Sequence, residues 1–155
     1  MANTQAFCSS CKSELMLGLH AWGPSAAPIP ARTVAVADVV KAALYFATAT
    51  VNAATTAYSA TGEVANSGSY TAGGVTVTMA TAPSTSGTAG IFTPSASIVV
   101  TTFTAAAFDC VLLYNSSQGN RAISVHTFGT QTITAGTFTL TQPVNSPGTA
   151  LIQIS

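Results

Sequence analysis

The stretch that decides the fold is DCVLLYNSSQGNRAISVHTFGTQTITAGTFTL, residues 109–140. Apolar and polar side chains alternate in its second run, where Ile123 and Val125 lie on one face of a predicted strand and Ser124 and His126 on the other. Residues 115–120, NSSQGN, are rich in turn-forming side chains and separate this run from the apolar run before it. The two runs are therefore predicted to form a hairpin-like unit.

From residue 33 to the last residue, the composition is dominated by Thr, Val, Ala and Gly. These residues form short β-prone runs separated by turn residues, such as those at 83–87 and 135–136. The predicted strands cover residues 41–48, 74–80, 90–93, 97–102, 109–114, 121–128, 131–134, 136–140 and 150–154. This pattern of about eight short strands predicts a mainly β domain, built as a β-sandwich or jelly roll, with barrel closure as the alternative architecture.

The first 32 residues differ from the rest. Apolar side chains recur every four residues between residues 4 and 20, at Phe7, Cys11, Leu15 and Leu19, with Cys8 and Met16 beside them. This spacing predicts an N-terminal amphipathic helix, capped by Asn3 or Thr4. Residues 23–32, GPSAAPIPAR, contain three prolines and predict an extended arm. We therefore divide the chain into a helix and proline-rich arm, 1–32, and a β-sandwich domain, 33–155.

The helix stripe and the arm are the predicted contact region for a partner. Tryptophan is enriched at interface hot spots, and Trp22 lies where the helix meets the arm. Packing of Trp22 within its own chain is the alternative. The predicted interface residues are Phe7, Leu15, Met16, Leu19, Trp22 and Ile29.

Charge is scarce throughout the chain. Four Lys and Arg and four Asp and Glu make up 5% of the residues, whereas 48% are hydrophobic; charged residues are roughly a quarter of an ordinary soluble domain. A neutral surface of this kind favours burial against partners. The four basic residues are scattered, which argues against nucleic acid as a partner. The most apolar stretch, residues 34–51, is interrupted by Asp38 and Lys41, so no membrane span is predicted.

No catalytic set, cofactor site or metal site is predicted from the sequence, and we expect a non-enzymatic protein. Cys8 and Cys11 form a C-x-x-C pair that offers two thiolate ligands or a redox pair; we interpret them as small buried hydrophobic residues of the helix. Asp109 and Arg121 flank the hairpin-like unit and are interpreted as a cross-strand ion pair, with an anion or partner site as the alternative. His126 is interpreted as a hydrogen-bonded imidazole.

Several stretches together resemble a group of small virion proteins of tailed bacteriophages. They are TQAFCSSCKSELMLGLHAW (4–22), AALYFATATVNAATTAYSATGEV (42–64), SYTAGGVTV (69–77), LLYNSSQGNRAISVHTFGTQTITAGTFTLTQP (112–143) and ALIQIS (150–155). The similarity covers most of the chain in the same order. It implies a structural particle component with a β-sandwich body and an N-terminal helix.

Within the particle, the resemblance implies a head decoration, or cement, protein that bridges major capsid subunits and has lattice neighbours or copies of itself as further partners. A tail, baseplate or fibre-associated component is the alternative. A carbohydrate-binding module for host recognition, using the loop at 115–120 and Tyr114, is a second alternative from a different class. The N-terminus has no basic signal-peptide region, so we expect synthesis in the host cytoplasm and a location in the virion.

Overall fold

The structure is a computed structural model that describes residues 3–16, 20, 37–80 and 82–154. Its elements in chain order are β1 (Ala6–Phe7), α1 (Ser9–Met16), β2 (Val40–Phe46), β3 (Val75–Thr76), β4 (Ser84–Ser86), β5 (Ala89–Phe92), β6 (Ile98–Asn115), β7 (Arg121–Leu140) and β8 (Ile152–Ile154). The described strands form two antiparallel sheets, one of five strands in the order β1-β7-β6-β2-β3 and one of three in the order β4-β5-β8. The prediction of a mainly β chain is confirmed.

The long hairpin β6–β7 is the centre of the larger sheet. β6 has 18 residues and β7 has 20, and they pair from Asn115 opposite Arg121 at the turn to Ile98 opposite Leu140 at the far end. The hairpin turn lies where the sequence predicts it.

The predicted interruptions within these two strands are wrong. Residues 98–102 and 109–114 belong to one continuous strand, β6, which begins one residue later than predicted; residues 121–128, 131–134 and 136–140 likewise belong to β7. The turn predicted at 135–136 is a bulge: Ala135 has a φ of 47°, and the β6–β7 pairing resumes at Gly136, opposite Phe103. A left-handed residue inserts an extra position into one strand without ending the ladder, so a turn-like sequence does not always mark a turn.

The smaller sheet contains a further correction. Residues 83–87 are predicted as a turn, but Ser84–Ser86 form β4 and pair with β5. Phe92 of β5 and Ile152 of β8 belong to the same buried cluster as the larger sheet. In the middle of that cluster the Phe108 ring meets the Phe103 and Phe138 rings edge to face, with centroids 5.5 and 5.1 Å apart.

The N-terminal segment is not one long helix. Ala6 and Phe7 pair with Val125 and Ser124 of β7, and α1 begins only at Ser9. Neither predicted cap is used, because Thr4 and Asn3 precede β1; the Asn3 side chain instead accepts a hydrogen bond from Val51 N at 3.0 Å. Pairing with an exposed strand edge outweighs the helical spacing at residues 4–8. The predicted proline-rich arm, 23–32, lies outside the described residues.

Residues 67–70 cover one edge of β6. Ser69 N donates to Thr101 O at 3.0 Å, and the Ser69 and Ser67 hydroxyls accept from Thr101 N and Thr104 N, both at 2.8 Å. Gly68 lies closest to the strand: its φ is +56°, and a Cβ there would be 2.2 Å from Thr101 O. Only glycine permits this approach.

We expect Gly68→Ala to lower the free energy of unfolding by about 3 kcal/mol or more, because the methyl group must displace the loop from the strand backbone. Gly87→Ala is the matched control: Gly87 has a φ of +60° but no atom within 4 Å of a Cβ, so only the cost of the left-handed conformation applies, about 1 kcal/mol. Urea unfolding followed by circular dichroism measures both. Equal losses in the two variants would show that the close approach is not a constraint.

Candidate functional site

The exposed surface of the described part of the chain carries little charge. Five charged residues have described side chains. Of these, Arg121 is exposed, Lys41 and Asp109 are half-buried, and Asp38 and Glu63 are buried, with 9% and 8% of their surface exposed. Among the described residues, most of the exposed ones are Thr, Ser, Ala and Gly, and only four large apolar side chains are exposed: Val39, Val99, Val144 and Ile154. The described surface is therefore nearly uncharged.

Glu63 is held by three hydrogen bonds. Tyr58 and Tyr70 donate their hydroxyls to its two carboxylate oxygens at 2.5 and 2.8 Å, and Gly73 N donates at 2.7 Å. The Tyr70 hydroxyl also accepts from Leu44 N at 2.9 Å, which joins this cluster to β2. Burial, together with the Glu63 carboxylate, raises the pKa of both tyrosines above the ordinary value. The cluster joins residues 58–73 to the large sheet.

The other two tyrosines lie beside this cluster. The Tyr114 ring stacks on Tyr58 with centroids 4.6 Å apart, and its hydroxyl donates to Gly73 O. Tyr45 donates to Ser59 O at 2.5 Å. Tyr114 is only 2% exposed, so the aromatic side chain that the sequence offered for sugar stacking is not at the surface.

A second polar cluster surrounds Asn115, at the end of β6. The Asn115 amide nitrogen donates to Asp38 at 2.8 Å and lies 3.0 Å from His20 Nδ1. Gln118 donates to the second Asp38 oxygen at 3.0 Å. The hairpin turn is thus attached to residue 20 and to the segment that leads into β2. This attachment does not favour the alternative in which residues 115–120 form an unattached loop that binds carbohydrate.

His126 faces two cavities, of about 440 and 220 Å³, between the larger sheet and the C-terminal residues. Gln5, His126 and Leu151 line both, and no described charged side chain lines either. His126 Nε2 lies 2.8 Å from the Ser124 hydroxyl, and burial lowers the pKa of His126 to about 4. An imidazole with so low a pKa is a weak general base, and no carboxylate orients it within these cavities.

Cys8, Cys11 and Cys110 are buried. Cys8 and Cys11 belong to the apolar core, where the sequence interpretation places them. Burial, with a smaller contribution from the neighbouring Asp109 carboxylate, raises the pKa of Cys110 to about 12. Among the described residues, no group of three or more His, Cys, Asp and Glu is placed to hold a metal ion.

The predicted ion pair between Asp109 and Arg121 is wrong. The β6–β7 register places Arg121 opposite Asn115, six positions along the strand from Asp109, or about 20 Å. Asp109 instead accepts a hydrogen bond from the Asn3 side chain at 2.5 Å. A hairpin brings together only residues equally distant from its turn, and these two are not.

The predicted interface residues fall into two groups. Phe7 and Leu15 are half-buried and pack against the protein's own core. Met16 is the last residue of α1, and Leu19, Trp22 and Ile29 lie outside the described residues. The contact role of all six stays a prediction.

Neither Glu63 nor Asn115 is predicted as an organising residue from the sequence alone. One signal was available: Glu63 is one of four acidic residues in a strongly hydrophobic chain and lies between Tyr58 and Tyr70. An acid buried in such a chain needs hydrogen-bond donors, and neighbouring tyrosines supply them. Asn115 had no comparable signal, because its partners are remote in sequence.

No helix in the part of the chain that the structure describes is long and apolar enough to cross a membrane. No protein-family model, curated protein or solved structure matches this chain.

We expect Tyr70→Phe to lower the free energy of unfolding by about 2 to 3 kcal/mol, because it removes a donor from a buried carboxylate and an acceptor from Leu44 N. Tyr45→Phe is the control: it removes one bond to a neutral carbonyl and should cost about 1 kcal/mol. Urea unfolding at neutral pH measures both losses. An equal or smaller loss for Tyr70→Phe would contradict an organising role for the Glu63 cluster.

We expect His126 to make the protein less stable in mild acid. The unfolded histidine binds a proton below its ordinary pKa of 6.5, whereas the folded one does so only near 4, so the free energy of unfolding falls as the pH falls through this window. Between about pH 7 and about pH 5, the wild type should lose about 2 kcal/mol more than His126→Gln. Urea unfolding of both proteins at both pH values measures this loss. The difference between their free energies of unfolding at about pH 7 is subtracted from the difference at about pH 5. If the free energy of unfolding falls equally with pH in the wild type and in His126→Gln, burial does not lower the pKa of His126.

Proposed function

We propose that the chain is a structural virion protein, most specifically a decoration, or cement, protein that stabilises a phage head by bridging major capsid subunits. The observation that carries this proposal is the neutral exposed surface, on which Arg121 is the one exposed charge among the described side chains. The resemblance of residues 4–22, 42–64, 69–77, 112–143 and 150–155 to virion proteins of tailed phages gives the class of particle.

A neutral surface suits a lattice component for a physical reason. Burying a charged side chain at an interface costs desolvation energy unless a partner charge meets it, whereas Thr, Ser and Ala are buried at much lower cost. A protein that contacts several subunits at once can combine many weak neutral contacts into stable attachment. Such contacts also depend little on salt concentration.

The architecture proposed for this role is a β-sandwich, with a jelly-roll strand order as its specific form. Support comes from Phe92 and Ile152 of the smaller sheet, which belong to the same buried cluster as the apolar residues of the larger one. The Glu63 and Asn115 clusters add rigidity, because they attach long connections to the sheets through buried hydrogen bonds. A rigid body loses little conformational entropy on joining a lattice.

The proposed contacts to capsid subunits are Met16, Leu19, Trp22 and Ile29, while Phe7 and Leu15 contribute mainly to the body's own packing. Deleting residues 1–31 is a poor test of the contact region, since it also removes β1 and the buried Cys8 and Cys11. Trp22→Ala combined with Ile29→Ala addresses the proposed contacts without that loss.

The copy number in purified virions tests the proposal. Quantitative mass spectrometry should find the chain at a level comparable with the major capsid protein. A level typical of tail proteins would favour a tail, baseplate or fibre component instead. Absence from the virion would contradict both.

Washing the same virions tests the neutral-contact mechanism. The chain should remain attached in concentrated salt and be released by mild denaturant, because apolar and uncharged contacts are weakened by urea but little by screening. Release by salt alone would contradict the mechanism while leaving the copy-number result intact.

A further inference from the structure

The outer edge of β7 is largely unpaired. β7 pairs with β6 along its length on one side, but on the other side β1 meets it only at Ser124 and Val125. From residue 130 to residue 140, no described residue outside the hairpin hydrogen-bonds to the β7 backbone. We call residues 130–140 the open edge.

The opposite edge of the same hairpin is closed. Residues 67–70 lie along β6 and satisfy Thr101 and Thr104 through the hydroxyls of Ser69 and Ser67. The close approach of Gly68 to Thr101 brings this cover into backbone contact. The hairpin therefore has one edge that the chain itself protects and one edge that the described chain leaves to solvent.

The open edge also lacks two of the features that usually prevent strand pairing, namely charged side chains and proline. Residues 122–142 contain no Lys, Arg, Asp, Glu or Pro, although charged side chains and proline are the common means of blocking an exposed edge. Thr130, Thr132, Thr134, Thr137 and Thr139 are all exposed. The bulge at Ala135 is the one left-handed position within the open edge.

We propose that the open edge pairs with the open edge of a second copy of this chain, antiparallel and related by a two-fold axis. Antiparallel pairing makes an edge its own complement, since the same residues supply donors and acceptors on both sides. Threonine side chains facing one another across the pair are compatible. The five-stranded sheet then continues from one copy into the next.

The distribution of charge favours a second copy as the occupant. The open edge carries no charged side chain, so it offers no charge complementarity to a charged strand of another protein. For the same reason, two copies of the open edge do not repel each other. Arg121 lies nine positions before the open edge, so the antiparallel arrangement places the two arginines at opposite ends, far beyond the screening length of about 10 Å. The inference concerns the free protein and does not depend on a virion role.

The proposed dimer is weak. Eleven residues per copy span about 36 Å of strand, and pairing along one edge buries less than the roughly 1,200 Å² of a stable complex. We therefore expect reversible association that increases with protein concentration. Sedimentation equilibrium of the full chain over a concentration series measures it.

The test variant is Thr137→Lys with Thr139→Lys. Both threonines are exposed, and lysines on an edge disfavour strand pairing; we expect the association constant to fall at least about tenfold. The matched control is Val99→Lys with Thr101→Lys. It adds the same charge to exposed positions one strand further in, where Val99 lies opposite Thr139, and should associate like the wild type.

Three outcomes overturn the proposal: a wild type that stays monomeric at its highest soluble concentration, a test variant that associates as the wild type does, or equal weakening in test and control. The last outcome would assign the contact to the face of the sheet instead of its edge. Hydrogen exchange on the wild type tests, without any variant, whether residues 130–140 form the contact. Amides within residues 130–140 should exchange more slowly as concentration rises, and protection confined to other residues also overturns the proposal.

Discussion

The pairing of β6 with β7 is the interaction on which the rest of the structure depends. These two strands supply the backbone that β1, β2 and the loop at 67–70 bind, and their Phe103, Phe108 and Phe138 rings form the middle of the core. The pairing continues past several register shifts, at left-handed residues such as Thr102 and Ala107. The residues of the hairpin near its turn are mostly buried, whereas most residues of β7 from 129 to 139 are exposed.

Local patterns predicted the strands near the hairpin turn because alternation and turn chemistry act over a few residues. Ile123 and Val125 are buried as their spacing implies, and residues 115–120 make the turn. Long-range competition explains the failures. Residues Ala6 and Phe7 follow a helical spacing but form a strand, because an edge of β7 is available for pairing. The sequence around Ala135 is predicted as a turn, because the left-handed conformation occurs both in turns and in bulges. Neither outcome can be read from neighbouring residues.

The polar interior was less predictable than the apolar one. Cys8 and Cys11 are buried as expected, but the partners of Glu63 and Asn115 become visible only when distant segments meet. Two of the four acids in the chain, Asp38 and Glu63, accept hydrogen bonds that attach connections to the body of the molecule. Because Asp38 and Glu63 are buried in these clusters, the described surface carries fewer charges than the sequence contains, which links the internal architecture to the weakly charged exterior.

The Asn115 side chain contacts both His20 and Asp38, so two positions eighteen residues apart in the sequence meet at a single junction. Loop closure costs only about 0.6 kcal/mol for each doubling of length. The free energy of closing this junction therefore depends only weakly on the number of residues between His20 and Asp38. Through loop closure alone, an insertion or deletion between these two residues has a small effect on the stability of the junction.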